Sequence, residues 1–183
     1  MNKKDITKIK SNVAGILAFL WMIIIFIFSA QSKEESSEVS GGLSDRILSI
    51  GGWFLHLNID EETLGFIALT VERIIRKGAH MTEFAILAVL LYVWLGRWQI
   101  PQVKRYWAAA ILACLYACTD ELHQLFVPGR AGLVSDVLID SAGAVVGLAI
   151  FLVLWQAVAK KIHSRSFGKE NGMSDGPRRS SLP

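Results

Sequence analysis

The sequence predicts an all-α fold, a polytopic membrane helix bundle with about four transmembrane helices and an amphipathic outer helix. Three observations lead there. Hydrophobic residues make up 52% of the 183 positions, with a mean hydropathy of +0.42. The charged residues gather in blocks rather than being spread along the chain, as they are in a water-soluble domain. Between the blocks lie four apolar runs that, at about 1.5 Å per residue, cover most or all of a hydrocarbon core about 30 Å thick. The formal net charge of +3 is too mild for a nucleic-acid partner, and no Lys/Arg run interleaved with aromatics is present, so no nucleic acid is expected.

Taken in order, residues 1–12 form a basic N-terminus carrying Lys3, Lys4, Lys8 and Lys10. Residues 13–30 are free of charge and make the first span. A basic flank before an apolar run also fits a cleaved signal peptide, but Phe28 occupies the −3 position of the best small-residue site, which ends at Ala30, so a retained anchor is expected. Residues 31–42 are rich in Ser and Glu and read as a flexible or solvated stretch. After the cap residue Asp60, Leu64, Ile67, Ala68, Val71, Ile74 and Ile75 recur at helical spacing, which predicts an amphipathic helix feeding the second span, residues 79–95. The third span covers residues 107–127 and is stopped by the Pro128-Gly129 turn. The fourth covers residues 140–158, and residues 13–163 thus form one membrane domain. The tail, residues 164–183, is polar and predicted disordered. His56 reads as interfacial and His163 as part of the basic tail. Cys114 and Cys118, one helical turn apart in an apolar run, are expected to pack as small hydrophobes rather than to bridge.

Orientation follows from the basic residues. With the N-terminus cytoplasmic, the inner segments carry 13 of the 19 Lys and Arg residues, which predicts a multi-pass protein of the cell membrane with both termini cytoplasmic. Several Trp residues, among them Trp94, Trp98 and Trp107, then fall near span ends, where interfacial aromatics anchor a helix.

The ionisable residues inside the spans mark where function is expected. Counting along each helix brings His80, Glu83, Asp120, His123 and Asp140 to the outer third of the bilayer, about 20–30 Å from the inner ends. At about 100° per residue, Arg73, Arg76, Lys77, His80 and Glu83 share one stripe. Tyr116, Asp120, His123 and Gln124 share a second, and Asp136, Asp140, Gly143 and Gly147 share a third. Glu121 lies off its helix's stripe by about 100° and is expected to face another helix or water. Charges cost about 2.5–3.5 kcal/mol each in hydrocarbon, so the stripes are expected to face one another, with Gly143-x-x-x-Gly147 permitting close approach.

The residues 77–84, Lys-Gly-Ala-His-Met-Thr-Glu-Phe, are followed by residues 120–130, Asp-Glu-Leu-His-Gln-Leu-Phe-Val-Pro-Gly-Arg, and then by Asp136 and Asp140 running into Gly143 and Gly147. In this order they resemble the VanZ-like family of small bacterial membrane proteins, and Phe28-Ser29-Ala30-Gln31-Ser32 is similar to that family's first-span ending. The resemblance implies a bacterial cell-envelope protein, because the family's namesake is associated with teicoplanin resistance, a form of glycopeptide antibiotic resistance. It implies no reaction.

Three classes of function fit the stripes. The first is a pocket formed by Lys77, His80, Glu83, Asp120, Gln124, Arg130, Asp136 and Asp140 that binds an anionic envelope ligand. Such a ligand is a membrane lipid head group, a lipid-linked cell-wall intermediate or a lipoglycopeptide, held by Lys77 and the bidentate fork of Arg130. The second is an intramembrane acid-base or metal-dependent enzyme acting on a lipid-linked substrate, with His80, Glu83, Asp120, Glu121, His123 and Asp136 as catalytic candidates. No cofactor or metal is assigned, and a serine nucleophile motif is missing from the sequence. The third, an ion or proton pathway, is disfavoured because the inner halves of the spans carry almost no ionisable residue. A closed ion-pair cluster that only holds the bundle together is the competing structural explanation.

Overall fold

A computed structural model describes residues 2–55 and 60–173. Among them the chain forms five α-helices: α1 (Lys3–Ser29), α2 (Lys33–Leu55), α3 (Glu61–Leu95), α4 (Gln102–Gln124) and α5 (Val134–Met173), with a 3₁₀ turn at Gly96–Trp98. No strand occurs among the described residues. The all-α membrane architecture is therefore present, and three segments, Asp5–Ser29, Glu62–Trp98 and Val134–Ile162, are long and apolar enough to cross a membrane. The expected third span, α4, is different in kind. Lys104 and Arg105 at one end and Asp120 and Glu121 at the other leave only residues 106–119 free of charge, about 21 Å of helix.

Most of the exposed surface of α1 is apolar, including Ile16, Phe19, Ile23 and Phe28, while Ala14, Ala18 and Ile25 are buried. Apolar shells of this extent are incompatible with water and suit lipid. The apolar part of the buried face of α4 consists of Ala109, Ala110, Ala113 and Ala117, small residues that let neighbouring backbones come close where lipid offers no hydrophobic drive between helices. Polar side chains tie the helices together by donating to backbone carbonyls. Trp21 Nε1 donates to Glu83 O (2.9 Å), Tyr116 OH to Met22 O (2.6 Å) and Tyr106 OH to Val145 O (2.8 Å). Cys114 and Cys118 are free thiols, and the Ser141 hydroxyl donates to Cys114 Sγ (3.1 Å).

Two expectations change. The stretch at residues 31–42 is helical from Lys33 and not a flexible connection. Its start is a capping box, in which Glu35 N donates to Ser32 Oγ (3.2 Å) and Ser32 N donates to Glu35 Oε2 (2.8 Å). The resulting helix buries Ser40 and Ser44 against α3, with Ser44 Oγ donating to Ala68 O (3.1 Å). The amphipathic helix and the second span are also a single helix, α3, whose N-cap Asp60 accepts from Thr63 N at 2.9 Å. At 35 residues, α3 is about 52 Å long, well beyond a hydrocarbon core of about 30 Å.

Helix α5 starts at Val134, so Asp136 lies in its first turn, and it continues through Met173 where a disordered tail was expected to begin at residue 164. The rest of that tail, residues 174–183, and His56 lie outside the described residues. The chain divides into two compact units, residues 1–148 and 149–183. Within the second, the rings of Phe151 and Trp155 stack at 6.3 Å.

In the first unit, Gly143 and Gly147 seat α5 on α3. A β-carbon at Gly143 would stand 2.5 Å from Met81 O and 2.7 Å from Met81 Cα, and one at Gly147 would collide with Ala85. The spacing that is a weak signal in sequence is here a close backbone contact. It sets the polar start of α5 beside the Arg73–His80 stripe in the middle of α3.

Candidate functional site

Helical periodicity builds the first wall. Arg73, Arg76, Lys77 and His80 are spaced 3, 1 and 3 residues apart on α3 and line one cavity of about 390 Å³, within the range of roughly 300–1,000 Å³ of small-molecule sites. The last turn of α4 contributes Glu121 and Gln124, and the first two turns of α5 contribute Asp136, Ile139 and Asp140. Between them runs the α4–α5 connection, which adds Arg130 and Leu133. Gly129 adopts φ 74°, a left-handed backbone open to glycine, and this reverses the chain so that Arg130 returns to the bundle.

The charges on the wall are not equivalent. Lys77 Nζ stands 2.9 Å from Asp136 Oδ1, with the two side chains 46% and 31% exposed, so this pair contributes at most about 1 kcal/mol. Arg76 pairs with Glu72 at 3.6 Å, one turn back on α3. Arg73 has no ion-pair partner among the described residues, and neither has Arg130. The Arg130 Nε donates to Gln31 O (2.9 Å), which fixes one edge of the guanidinium. Burial lowers the Arg130 pKa, as does the neighbouring Arg76, while Asp120, Glu121 and Glu83 oppose the shift. A guanidinium lowered from such a high starting point is still a cation at neutral pH.

The acidic groups divide by depth. Glu121 is 6% exposed and its Oε2 accepts from Leu133 N (2.9 Å), so it holds the connection in place from within. Asp140 is 2% exposed and faces the cavity wall. Glu83 and Asp120 lie behind the wall. Gln124 Nε2 donates to Asp120 Oδ2 (3.3 Å) and to the buried Ser29 hydroxyl (3.0 Å), which ties the end of α1 to α4. His80 Nδ1 and Glu83 Oε2 are 3.7 Å apart, beyond hydrogen-bonding distance, and both atoms, with Asp120 Oδ1, are buried without a hydrogen-bond partner.

Of the residues expected to form the pocket, Lys77, His80, Gln124, Arg130, Asp136 and Asp140 line the cavity, while Glu83 and Asp120 form a second layer. Of the catalytic candidates, His80, Glu121 and Asp136 line it. His123 does not, because its ring stacks on Phe26 at 4.2 Å. Among the described residues no three His, Cys, Asp or Glu side chains are grouped to hold a metal ion. Arg73 and Arg76 join the wall although the expected site began at Lys77; their signal is the same 3.6-residue stripe one turn earlier. Leu133 and Ile139 carry no polar signal and are found only through the fold.

Neither a curated protein nor a solved structure matches the chain. The model of the VanZ/LLP1 family matches residues 14–155, a stretch that holds the whole cavity lining, and the chain belongs to this family.

Proposed function

We propose that this VanZ/LLP1 protein binds the anionic part of a cell-envelope molecule in the cleft between α3, α5 and the α4–α5 connection. The molecule is a lipid head group, a lipid-linked cell-wall intermediate or a lipoglycopeptide. The observation that carries this reading is Arg130, a partly buried guanidinium fixed at Nε by Gln31 O, with no carboxylate paired to its terminal nitrogens among the described residues. A fork held in this way is preorganised for bidentate contact with phosphate or carboxylate. Arg73 adds a second cation on the same wall without an ion-pair partner among the described residues. If the ligand is a lipoglycopeptide or its target, such binding contributes to glycopeptide resistance. The excess of basic residues in the segments set inside by a cytoplasmic N-terminus supports both termini cytoplasmic in a bacterial cell membrane, with the cleft at the outer end of the bundle.

Titration of the purified protein in nanodiscs of phosphatidylcholine tests the reading. A short-chain lipid with an anionic phosphate head is expected to bind saturably, and wild-type affinity is expected to fall on the order of 100-fold in Arg130→Gln. Equal affinity in the variant removes Arg130 from the site and the proposal with it.

A further inference from the structure

The cavity holds an acceptor that an anion cannot use. Asp140 is 2% exposed, faces the cavity and has no hydrogen-bond donor from the protein among the described residues. A carboxyl group in either protonation state accepts hydrogen bonds, and as Asp140 lines the cavity a donor carried by a ligand can reach it. Cations thus line the cleft on α3 and on the α4–α5 connection, and a carboxyl without a protein donor among the described residues lines it on α5. A ligand that matches both carries an anion and, a few bonds away, a hydroxyl.

The rim adds a third feature. Leu133 lines the cavity and is 49% exposed, so it joins the interior to the outer surface. Beyond it lie Val134 at 79% and Leu138 at 65%, with Phe126 at 86% on the same connection. Arg130 is the one charged residue at positions 124–135. Connections facing water carry polar residues, and this one is instead apolar and pinned, by Arg130 N donating to Val127 O (3.2 Å) and Leu133 N donating to Glu121 (2.9 Å). It shares its exposed apolar character with the spanning helices.

From these three features we infer that the cleft takes a phospholipid whose phosphate head also carries hydroxyl groups, entering sideways from the leaflet. The phosphate lies against Arg130 and Arg73, a head-group hydroxyl donates to Asp140, and the chains leave past Leu133 along Val134 and Leu138. This rests on the anion reading of Arg130, and names the class of molecule that brings the anion. A free polyol phosphate shares the head chemistry and lacks only the chains.

Three probes in phosphatidylcholine nanodiscs separate the parts: short-chain phosphatidylglycerol, phosphatidylmethanol of the same chains and charge but without a hydroxyl, and soluble glycerol phosphate. Phosphatidylglycerol is expected to bind about tenfold tighter than phosphatidylmethanol, and about 100-fold or more tighter than glycerol phosphate. Asp140→Ala is expected to bring the two lipids to equal affinity while both still bind, and Asp140→Leu serves if the alanine variant is unstable. Equal binding of the two lipids by wild type overturns the role of Asp140 without any variant being needed. Equal binding of glycerol phosphate and phosphatidylglycerol overturns lateral lipid entry. Undiminished binding of both lipids by Arg130→Gln instead overturns the parent reading.

Discussion

Two arginines at opposite ends of α4 show how differently one side chain is used in this bundle. Near its start, Arg105 lies with its guanidinium 3.9 Å from the centroid of the Tyr92 ring and donates from Nη2 to the Tyr92 hydroxyl. Gly96 packs beside it, where a β-carbon would stand 2.8 Å from Nη1. Trp94 and Trp98 meet edge to face at 5.0 Å at the same end, and Arg97 covers Trp98. This end is a closed aromatic-arginine plug. Beyond the other end of α4, Arg130 is anchored at Nε alone and faces a cavity. A cation spent on a ring and a hydroxyl stabilises the bundle, whereas one fixed at a single edge keeps its terminal nitrogens free of an ion-pair partner among the described residues.

The largest expected effect strikes the seam beneath the open end. Gly143→Val puts methyl groups into the Met81 backbone, and overpacking of this kind costs about 1–3 kcal/mol, more where backbone cannot yield. Melting temperature and ligand affinity are both expected to fall, because α5 carries Asp136 and Asp140 to the cleft. Unchanged affinity would show that the cleft does not need this contact. Arg105→Gln is the intermediate case. Loss of its cation–π contact, about 1–2 kcal/mol, is expected to lower the melting temperature by a few degrees and to leave binding at the other end within about twofold. A large loss of binding would break the contrast between the two arginines.

The smallest effect lies at the start of α3, far along the helix from the plug. Thr63 N–H holds the Asp60 carboxylate below its ordinary value of 3.8. The cap is therefore fully present above the unfolded value and lost as pH falls below 3.8 through the folded value. Amide exchange at Thr63, corrected for intrinsic rates, is expected to lose protection across that window and nowhere near neutral pH. Protection that is flat with pH removes the cap from the account.

The elements that were legible in the sequence are those written in apolar periodicity or in capping chemistry. Asp60 follows from capping chemistry and the stripe from Arg73 to His80 from a 3.6-residue period, and the structure aligns that stripe on one face of α3. Gly143 and Gly147 were legible as small-residue spacing, although only the fold shows them pressed against Met81 and Ala85. Helix α2 escaped because its contact face is made of Ser40 and Ser44, which a hydropathy pattern counts as solvent-facing. Ser32 and Glu35 did announce its start, three residues apart, to a reader weighing caps above composition. His123 shares an arc with Gln124 on α4, yet the neighbour beside its last turn is Phe26, and angular position alone cannot say which helix a stripe meets. Glu121 is drawn into the site by Leu133 N–H, a group twelve residues away whose position depends on the Pro128-Gly129 turn.

On the proposed reading, Arg130 is held open for a ligand and does not close an ion-pair cluster. The most direct test measures melting temperature and phosphatidylglycerol affinity together in wild type, Arg130→Gln and the double variant Arg130→Gln/Asp120→Asn, Asp120 being a buried carboxylate whose charge acts on Arg130. With Arg130 held open, Arg130→Gln is expected to lose affinity on the order of 100-fold with a melting temperature within about 2 °C of wild type, under about 1 kcal/mol for a chain of this size, and the double variant to bind no better. A structural cluster predicts the reverse. Removing Arg130 alone then costs about 3–5 kcal/mol by leaving the buried Asp120 carboxylate without its cation, and neutralising Asp120 as well restores both stability and binding, a result that would overturn the binding role of Arg130.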